Sequence, residues 1–216
     1  MYNTFNEKEY IREFSSKQDQ VLLWLEKQTH LRTNHARMLC GEYEGKLLEF
    51  LSGMIRPNRI LEIGAFTGYS SICLARGLKA GGILDSLEIN DELEDLILEA
   101  YKRAGLQDVI RLHIGDAMDT IETLKMQGAK YDLVFIDANK REYSSYYQHI
   151  FDMLTPDAYI VADNVLWDGK VYQPKPASDA QTVGIMEFNR LVASDSRVEN
   201  IILPIRDGLN IIRRLR

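Results

Sequence analysis

The sequence predicts an α/β fold in which a mostly parallel β-sheet carries helices on both faces. From Arg59 onward, short apolar runs alternate with amphipathic stretches, which is the pattern of repeated strand–helix units. Near the C-terminus, residues 206–208 place a glycine between two β-rich runs, at 199–205 and 209–213. That arrangement indicates a β-hairpin, so we expect the sheet to end with an antiparallel strand.

The chain has 216 residues, 45% of them hydrophobic, which is enough to cover both faces of such a sheet. We expect a single domain with N-terminal helices over residues 1–57 and an α/β core over residues 58–216. Apolar residues at helical intervals predict the N-terminal helices from residue 7 to about residue 29 and from 45 to 55. The predicted strands of the core are 59–63, 83–89, 109–114, 131–137 and 158–163. The predicted helices between them are 68–79, 91–104, 118–127, 143–153 and 179–193.

Charge and composition argue against several classes of partner. The formal net charge of −6 disfavours electrostatic binding to nucleic-acid phosphates. No stretch approaches the ~18 uninterrupted apolar residues that cross a bilayer, and the first residues lack a secretion signal, so we expect a soluble, cytoplasmic protein without a membrane partner. Cys40 and Cys73 have no metal-site spacing and predict neither a disulfide framework nor a zinc site. A small molecule is therefore the expected substrate.

A glycine turn follows the first predicted strand. Gly64 and Gly68 stand before a helix, where the missing Cβ atoms permit a sharp turn and close approach of a ligand. The next two strands end in Glu88 and Asp116, so acids line the sheet edge at which open α/β sheets bind ligands. Glu88 has the position from which an acid binds ribose hydroxyls, and Asp116 is expected to reach an adenine edge. The alternative is a turn that only joins a strand to a helix.

The residues within this turn distinguish between nucleotide ligands. Phe66 occupies the position at which a dinucleotide-binding turn has a glycine against the pyrophosphate. Glu62 adds negative charge, which favours a sulfonium or an amine and disfavours a diphosphate. These features predict S-adenosylmethionine (SAM) as the cofactor and argue against NAD.

A second group of polar residues follows the fourth and fifth predicted strands. Asp137 stands at the end of one strand, and Asp163 and Asn164 stand at the end of the next. If these strands are adjacent, the three side chains supply hard oxygen ligands for a divalent cation, with Mg²⁺ favoured over Ca²⁺ and Mn²⁺. Lys140 is then placed as a general base for a hydroxyl that the cation activates. The alternatives are a helix cap at Asp137, a plain turn at the end of the fifth strand, and a solvated Lys140.

Aromatic residues beyond the fifth strand have two interpretations. Trp167, Tyr172 and the stretch 174–176 form either a loop over an acceptor ring or a plain surface loop. The tyrosines at 143, 146 and 147 have helical spacing and are expected to pack in the core rather than to line a substrate site.

Three motifs, in this order, resemble the cation-dependent O-methyltransferases of the caffeoyl-CoA and catechol type. They are the glycine turn from Leu61 to Ser70, the Asp-Ala-Asn-Lys stretch at 137–140, and the Asp-Asn-Val-Leu-Trp stretch at 163–167. Asp207 and Gly208 near the last strand add to the match. The resemblance extends from about Met38 to the C-terminus.

The resemblance implies a Rossmann-like class I methyltransferase with a seven-stranded sheet. It further implies a homodimer that methylates one hydroxyl of a small vicinal diphenol, with Lys140 as the general base and Asp137 also touching the substrate. The implied cofactor contacts are Cys40, Glu62, Gly64, Ala65, Ser70, Glu88, Asp116 and Ala117. The implied metal ligands are Asp137, Asp163 and Asn164.

Three positions depart from the plant enzymes of this family. Cys40 replaces a hydroxyl residue, Asn139 replaces the second acid of Asp-Ala-Asp-Lys, and Asp168 replaces an amide. These changes and a poorly matching N-terminal segment leave open which acceptor is used and whether it is a CoA thioester. Two other hypotheses are a metal-independent methyltransferase acting on protein or nucleic acid, and an NAD-binding oxidoreductase or nucleotide-binding module.

Overall fold

The computed structural model describes residues 6–174 and 178–216, and these residues form eight α-helices and seven β-strands. None of the helices in these two ranges combines the length and the apolar composition that crossing a membrane requires. The strands are β1 (Arg59–Ile63), β2 (Ile83–Glu88), β3 (Ile110–Ile114), β4 (Tyr131–Ile136), β5 (Leu154–Ala162), β6 (Val198–Leu203) and β7 (Leu209–Arg214). The helices are α1 (Glu7–Phe14), α2 (Gln20–Arg32), α3 (Gly41–Ile55), α4 (Tyr69–Ala75), α5 (Glu94–Arg103), α6 (Ala117–Met126), α7 (Tyr143–Phe151) and α8 (Ala180–Ser194).

All seven strands form one sheet in the order β3-β2-β1-β4-β5-β7-β6. β1 pairs in parallel with β2 and β4, and β4 pairs in parallel with β5. β7 runs antiparallel to both of its neighbours. The predicted seven-stranded sheet with an antiparallel C-terminal strand is therefore confirmed. Because β7 inserts between β5 and β6, however, β6 rather than the reversed strand forms the edge.

The predicted N-terminal helix from residue 7 to about residue 29 is wrong as a single element, because α1 and α2 are separate. Asn6 and Glu9 form a capping box with hydrogen bonds of 3.0 Å in each direction. Asp19 starts the second helix, since its Oδ1 accepts two backbone N–H groups at 2.9 Å. Two capping residues thus divide a stretch that its apolar spacing alone presents as continuous.

Two further elements begin earlier than predicted, α3 at residue 41 and β5 at residue 154. The start of β5 is irregular, because Tyr131 pairs with Leu154 but Leu133 pairs with Tyr159. Asp157 within this stretch has a left-handed backbone with φ +61°. This irregularity interrupts the alternation by which a strand is recognised in a sequence.

The two faces of the sheet are covered by two hydrophobic clusters. One lies beneath α6, α7 and α8 and includes Tyr143, Tyr146 and Tyr147, which confirms the prediction that these tyrosines pack in the core. The other lies beneath α2 to α5 and includes Cys40 and Cys73. Both cysteines are free and buried. Helices on both faces leave the carboxyl ends of the strands as the edge at which the predicted site residues gather.

Candidate active site

The carboxyl ends of β1 and β4 meet at Gly64. This residue has φ +100°, and a Cβ placed on it would lie 2.4 Å from the carbonyl oxygen of Asp137. The Asp137 N–H also donates to the Ile63 carbonyl at 2.9 Å. The sequence predicts that a ligand uses the space of the missing Cβ, but in the structure the chain itself occupies that space. Gly64 therefore fixes the predicted cofactor turn directly against a predicted metal ligand.

Glu88, at the end of β2, stabilises the same turn through hydrogen bonds. Its Oε2 accepts the Phe66 N–H at 2.7 Å, and its Oε1 accepts the Asn90 N–H at 2.9 Å. Phe66 has φ +51°, so this hydrogen bond holds a residue in the sparsely populated left-handed region. Burial raises the pKa of the Glu88 carboxyl group. The ribose contact of Glu88 stays a prediction, and shaping the turn is a second role that the sequence did not reveal.

Glu62 and Ser70, both expected to contact the cofactor, hydrogen-bond each other at 2.6 Å. Glu62 is fully buried behind the turn, whereas Ser70 lies in the first turn of α4 and retains 7% exposure. Ala65 is in the turn itself and donates its N–H to the Leu87 carbonyl at 2.9 Å. The structure thus brings these three predicted residues together.

Asp116 and Ala117 lie farther along the same edge, after β3. Asp116 is exposed and caps α6, since its Oδ1 accepts the N–H groups of Met118 at 2.8 Å and Asp119 at 3.2 Å. Ala117 is the first residue of that helix. The capping role of Asp116 requires no ligand, so its contact with an adenine stays a prediction.

The ends of the adjacent strands β4 and β5 hold the second predicted group. Lys140 Nζ donates to Asp137 Oδ1 at 2.6 Å and to Tyr143 Oη at 2.8 Å. The Tyr143 hydroxyl in turn donates to the Asp163 carbonyl oxygen at 3.0 Å. Lys140 is only 7% exposed, so the alternative of a solvated lysine is wrong. The structure brings Asp137, Lys140 and Asp163 together.

Asp163 and Asn164 form a tight turn at the end of β5. The Asp163 Oδ1 accepts the Asn164 N–H at 2.6 Å, and Asn164 has φ +59°. Burial, reinforced by the nearby acids Asp137 and Glu44, raises the pKa of Asp163 well above its usual range. The cap of the 3₁₀ turn that follows β4 is Asn139, whose Oδ1 accepts a backbone N–H at 3.3 Å.

Glu44, in the first turn of α3, joins this cluster and was not predicted from the sequence. It is 1% exposed, and its Oε2 accepts from the Arg206 guanidinium at 2.8 Å. The Asp163 carboxyl group lies close enough that each acid affects the pKa of the other, and Glu44 Oε1 is buried without a hydrogen-bond partner among the described residues. Burial raises the pKa of Glu44. An acid in the first turn of a helix is common for local electrostatic reasons, so no sequence signal distinguished this one.

The donor chemistry at the ends of β4 and β5 fits a hard divalent cation. Asp137, Asp163 and Asn164 offer two carboxylates and one amide oxygen, the ligand types that Mg²⁺ prefers. With Glu44, the acids outnumber the two basic side chains beside them. The residues that the structure describes contain no cluster of three His, Cys, Asp or Glu side chains arranged around a metal position. Two carboxylates and one amide would leave coordination positions for water or substrate.

Comparison with known proteins identifies the family. A profile of the O-methyltransferase family matches residues 12–215. The chain belongs to the O-methyltransferase family. A caffeoyl-CoA O-methyltransferase of Petunia hybrida is 33% identical over 180 residues, which cover 80% of this chain and 74% of the relative. The resemblance to this type of enzyme is therefore confirmed, and the alternative of an NAD-dependent oxidoreductase is excluded.

Solved structures agree with this family. The O-methyltransferase TomG of Streptomyces achromogenes, in complex with SAM, is 30% identical with a TM-score of 0.87, and the match covers 96% of this chain and 95% of TomG. An O-methyltransferase of Bacillus cereus, in complex with S-adenosylhomocysteine (SAH), is 27% identical with a TM-score of 0.86, covering 95% of each chain. The predicted class I methyltransferase fold is confirmed.

The loop after β5 in this O-methyltransferase is held by the turn of the C-terminal hairpin. The Leu166 N–H donates to the Asp207 carbonyl at 2.9 Å, and the Asp168 N–H donates to the Asp207 carboxylate. A Cβ on Gly208 would lie 2.4 Å from Leu166 Cγ, so the turn and the loop pack without a gap. The Asp207-Gly208 pair of the sequence motif thus positions the segment that follows the predicted metal ligands.

Two aromatic residues of this loop differ in their surroundings. Trp167 packs partly buried against the core, and Lys170 Nζ lies 5.6 Å from its ring centre. Tyr172 is exposed. Of the stretch 174–176, which was predicted to belong to the same loop, residues 175 and 176 lie outside the described residues. A role for this loop over the acceptor stays a prediction.

Cys40, the remaining predicted cofactor contact, immediately precedes α3. Its side chain is buried, and burial raises the pKa of the thiol. Its carbonyl oxygen accepts a hydrogen bond from the Arg206 guanidinium, the same group that pairs with Glu44. Arg206 therefore touches both the predicted cofactor side and the acidic cluster.

Proposed function

We propose that this enzyme transfers a methyl group from SAM to one hydroxyl of a small vicinal diphenol with the assistance of a divalent cation. The observation that carries this proposal is the packing of Gly64 against the backbone of Asp137. It joins the turn expected to hold the donor to the residues expected to hold the acceptor. A displacement between two bound molecules requires such proximity, because the reacting atoms must approach in line.

SAM as the donor is supported by the relatives and by the charge of the turn. TomG and the Bacillus cereus enzyme are complexes with SAM and SAH, respectively. Glu62 lies behind the turn and Glu88 beside it, and both carry acidic groups that suit a cationic ligand better than a diphosphate. The chain is an O-methyltransferase, and its donor is SAM.

The acceptor oxygen is activated at the ends of β4 and β5. Asp137, Asp163 and Asn164 would hold the divalent cation, which lowers the pKa of a coordinated hydroxyl when bound. In its neutral form, Lys140 Nζ takes the hydroxyl proton and becomes an ammonium group, whose charge Asp137 balances. Asp137 and Tyr143 orient this nitrogen through hydrogen bonds of 2.6 and 2.8 Å, and the burial of Lys140 limits the access of water.

A methyl-transfer assay with a panel of acceptors tests this proposal. The panel contains vicinal diphenols, free and as CoA thioesters, and matched monophenols and 1,3-diphenols as controls. We expect turnover of vicinal diphenols with Mg²⁺, loss of turnover with EDTA, and unchanged binding of SAH measured by calorimetry. Undiminished turnover after chelation contradicts the metal role. Absence of SAH binding contradicts the proposed donor.

We further propose that the described residues form one domain that pairs into a homodimer. Leu22 and Leu25 of α2 belong to the same hydrophobic cluster as Ile60 of β1, which supports one domain. The outer face of α3 exposes Phe50 and Met54 beside a groove of about 520 Å³ between α3 and β5, and apolar surfaces of this kind are typical of interfaces. Light scattering after gel filtration tests the dimer, and a monomer at micromolar concentration contradicts it.

A further inference from the structure

A buried hydroxyl network surrounds the carboxyl group of Glu62. Ser70 Oγ donates to Glu62 Oε1 at 2.6 Å, and Ser86 Oγ donates to Glu62 Oε2 at 2.6 Å. Ser71 donates to the same Oε2. These serines come from α4 and β2, so two neighbouring elements direct their hydroxyl groups at one acid on β1.

Tyr101 forms a second layer of this network. Its hydroxyl on α5 donates to Ser71 Oγ at 2.8 Å and lies 3.2 Å from Ser86 Oγ. A Cβ on Gly68 would lie 2.7 Å from the Tyr101 ring, so this ring packs directly beneath the cofactor turn. Because the hydroxyls of Ser71 and Ser86 already donate to Glu62, Tyr101 supplies the hydrogen bond that fixes their direction.

The charge environment of Glu62 balances two opposing effects. Burial is the strongest influence and raises its pKa to about 7, while the hydrogen bonds from the three serines act in the opposite direction. The charged group that acts on it from β4 is Asp137, which is also acidic and raises the pKa further. Glu88 ends β2 and Asp163 follows β5 at the same edge of the sheet, and Glu44 of α3 lies near Asp163. Burial thus favours the neutral form of Glu62 and the serine hydrogen bonds favour the ionised form, so a cation bound beside this carboxyl group would shift the balance toward the carboxylate.

Access to this carboxyl group is from the side of the turn. Glu62, Ser71 and Ser86 have no exposed surface, whereas Ser70 keeps a small exposed area at the start of α4. A cationic group that binds beside Ser70 would lie one side chain away from Glu62, because Ser70 Oγ donates to Glu62 Oε1 at 2.6 Å. The proposed donor, SAM, carries an ammonium group, which would supply a positive charge beside the Glu62 carboxyl group.

We propose that Ser71, Ser86 and Tyr101 are positioning residues that hold the Glu62 carboxyl group toward the ammonium group of the cofactor, and that cofactor binding expels a proton from Glu62. The proposal rests on the proposed function, which places SAM at this turn. In the binding step, the O–H bond of the Glu62 carboxylic acid breaks, the proton passes to the buffer, and the carboxylate pairs with the ammonium group. Once the proton has left, the Ser71, Ser86 and Tyr101 hydroxyls hold the carboxylate in the orientation that the structure shows.

The affinity for the cofactor should depend on pH, because binding is coupled to the release of a proton from Glu62. Above the pKa of Glu62 the carboxylate is already formed, and the affinity for the cofactor is constant. Below it, binding must first remove the proton, so the affinity falls about tenfold for each pH unit. Loss of a network hydroxyl removes a hydrogen bond to the ionised form and raises the midpoint of this dependence by about one pH unit.

Calorimetric titration of the full chain with SAH tests the proposal. Measurements from about pH 6 to about pH 8.5, in buffers that differ in ionisation enthalpy, give the number of protons released. We expect release of up to one proton at the acidic end and little at the alkaline end. Tyr101→Phe and Ser86→Ala should each shift the midpoint upward, and Glu62→Gln should abolish the proton release. Ser52→Ala is the matched control, because the Ser52 hydroxyl is buried and donates to the Leu74 carbonyl at 2.6 Å, outside the network.

The outcomes separate this inference from the proposed function. SAH binding without proton release, or proton release that persists in Glu62→Gln, overturns the coupling and leaves the methyltransferase proposal intact. If proton release persists in Glu62→Gln, the released proton comes from Glu88 or from the acids beside β4 and β5. Absence of SAH binding to the unmodified protein at every pH overturns both. If Glu62→Gln does not fold, the shift of the midpoint in Tyr101→Phe relative to Ser52→Ala decides the question alone.

Discussion

Arg206 in the turn of the β6–β7 hairpin donates to the buried carboxylate of Glu44 in α3 at 2.8 Å. The same guanidinium donates to the carbonyl oxygens of Leu39, at 3.2 Å, and Cys40. The C-terminal hairpin is thereby tied to the segment that enters α3 across 162 positions of sequence. This ion pair therefore holds the start of α3 against the turn of the C-terminal hairpin.

Arg206→Ala should lower the free energy of unfolding by about 2 kcal/mol, because it leaves the Glu44 carboxylate buried without its cation and removes two carbonyl contacts. The partial exposure of the guanidinium keeps the loss below that of a fully buried pair. Urea unfolding at neutral pH measures the difference. Arg32→Ala is the control, since its exposed pair with Glu99 at 3.5 Å should contribute about 0.5 kcal/mol or less. Equal losses in the two variants would contradict a structural role for the Arg206–Glu44 pair.

Gly64→Ala should cost about 3 kcal/mol or more of stability and weaken SAH binding, because the new Cβ would lie 2.4 Å from the Asp137 carbonyl oxygen. The strand ends of β1 and β4 would have to separate, and with them the two halves of the site. Thermal unfolding and calorimetric titration with SAH measure the two effects.

Gly105→Ala is the control for Gly64→Ala, because it separates the cost of a left-handed backbone from the cost of the steric clash with Asp137. Gly105 also has a positive φ, +68°, but no atom lies within 4 Å of its ideal Cβ position. It should therefore show only the cost of the left-handed backbone, about 1 kcal/mol, with SAH binding unchanged. If Gly64→Ala behaves like Gly105→Ala, the close packing at Asp137 has no energetic importance.

The strand-end residues could be predicted from the sequence because a parallel sheet gathers the carboxyl ends of its strands at one edge. Asp137 and Asp163 required only that β4 and β5 be neighbours, which the order of βα units favours. Glu44 could not be predicted in this way, since it precedes the first strand and meets Arg206 only through the return of the C-terminal hairpin. Contacts between distant segments leave no local pattern in a single sequence.

The glycines show a different limit of sequence reasoning. Gly64 and Gly68 were recognised correctly as the turn after β1, but their missing Cβ atoms accommodate Asp137 and Tyr101 of the chain itself. The hydroxyl network under the turn likewise could not be predicted from the sequence. Ser71, Ser86 and Tyr101 lie on three separate elements, and the cofactor motif, which ends at Ser70, includes none of them.

Asp195→Asn should destabilise the protein by about 1 kcal/mol at neutral pH, because this carboxylate accepts from Arg197 at 2.6 Å and from Tyr147 at 2.9 Å. The hydrogen bonds from Arg197 are the main reason that the pKa of Asp195 lies well below its usual range. A depressed pKa in the folded state contributes stability above the unfolded pKa of about 4, and that contribution is lost as the pH falls toward the folded value. The difference between the variant and the unmodified protein should therefore shrink in acid.

Urea unfolding at neutral pH and at about pH 3 measures this change. Arg197→Ala removes the same pair from the other side, so the double variant should lose little more than either single one. Additive losses, or a difference that grows as the pH falls, would contradict the assignment of the stability to this ion pair.

Lys140→Ala should reduce kcat by about 10²–10⁴-fold and leave the affinity for SAH nearly unchanged, because Nζ acts on the acceptor hydroxyl and not on the donor. Tyr143→Phe keeps the buried ring but removes the hydroxyl that lies 2.8 Å from Nζ, so it should cause a smaller loss of kcat, about tenfold. Lys130→Ala is the control, since that lysine is exposed and contacts the Asp152 carbonyl at 2.7 Å. Steady-state kinetics with a vicinal diphenol and calorimetry with SAH measure the two quantities. If Lys140→Ala retained full turnover, Lys140 would not be the base, and the proton would have to leave through another group at the ends of β4 and β5.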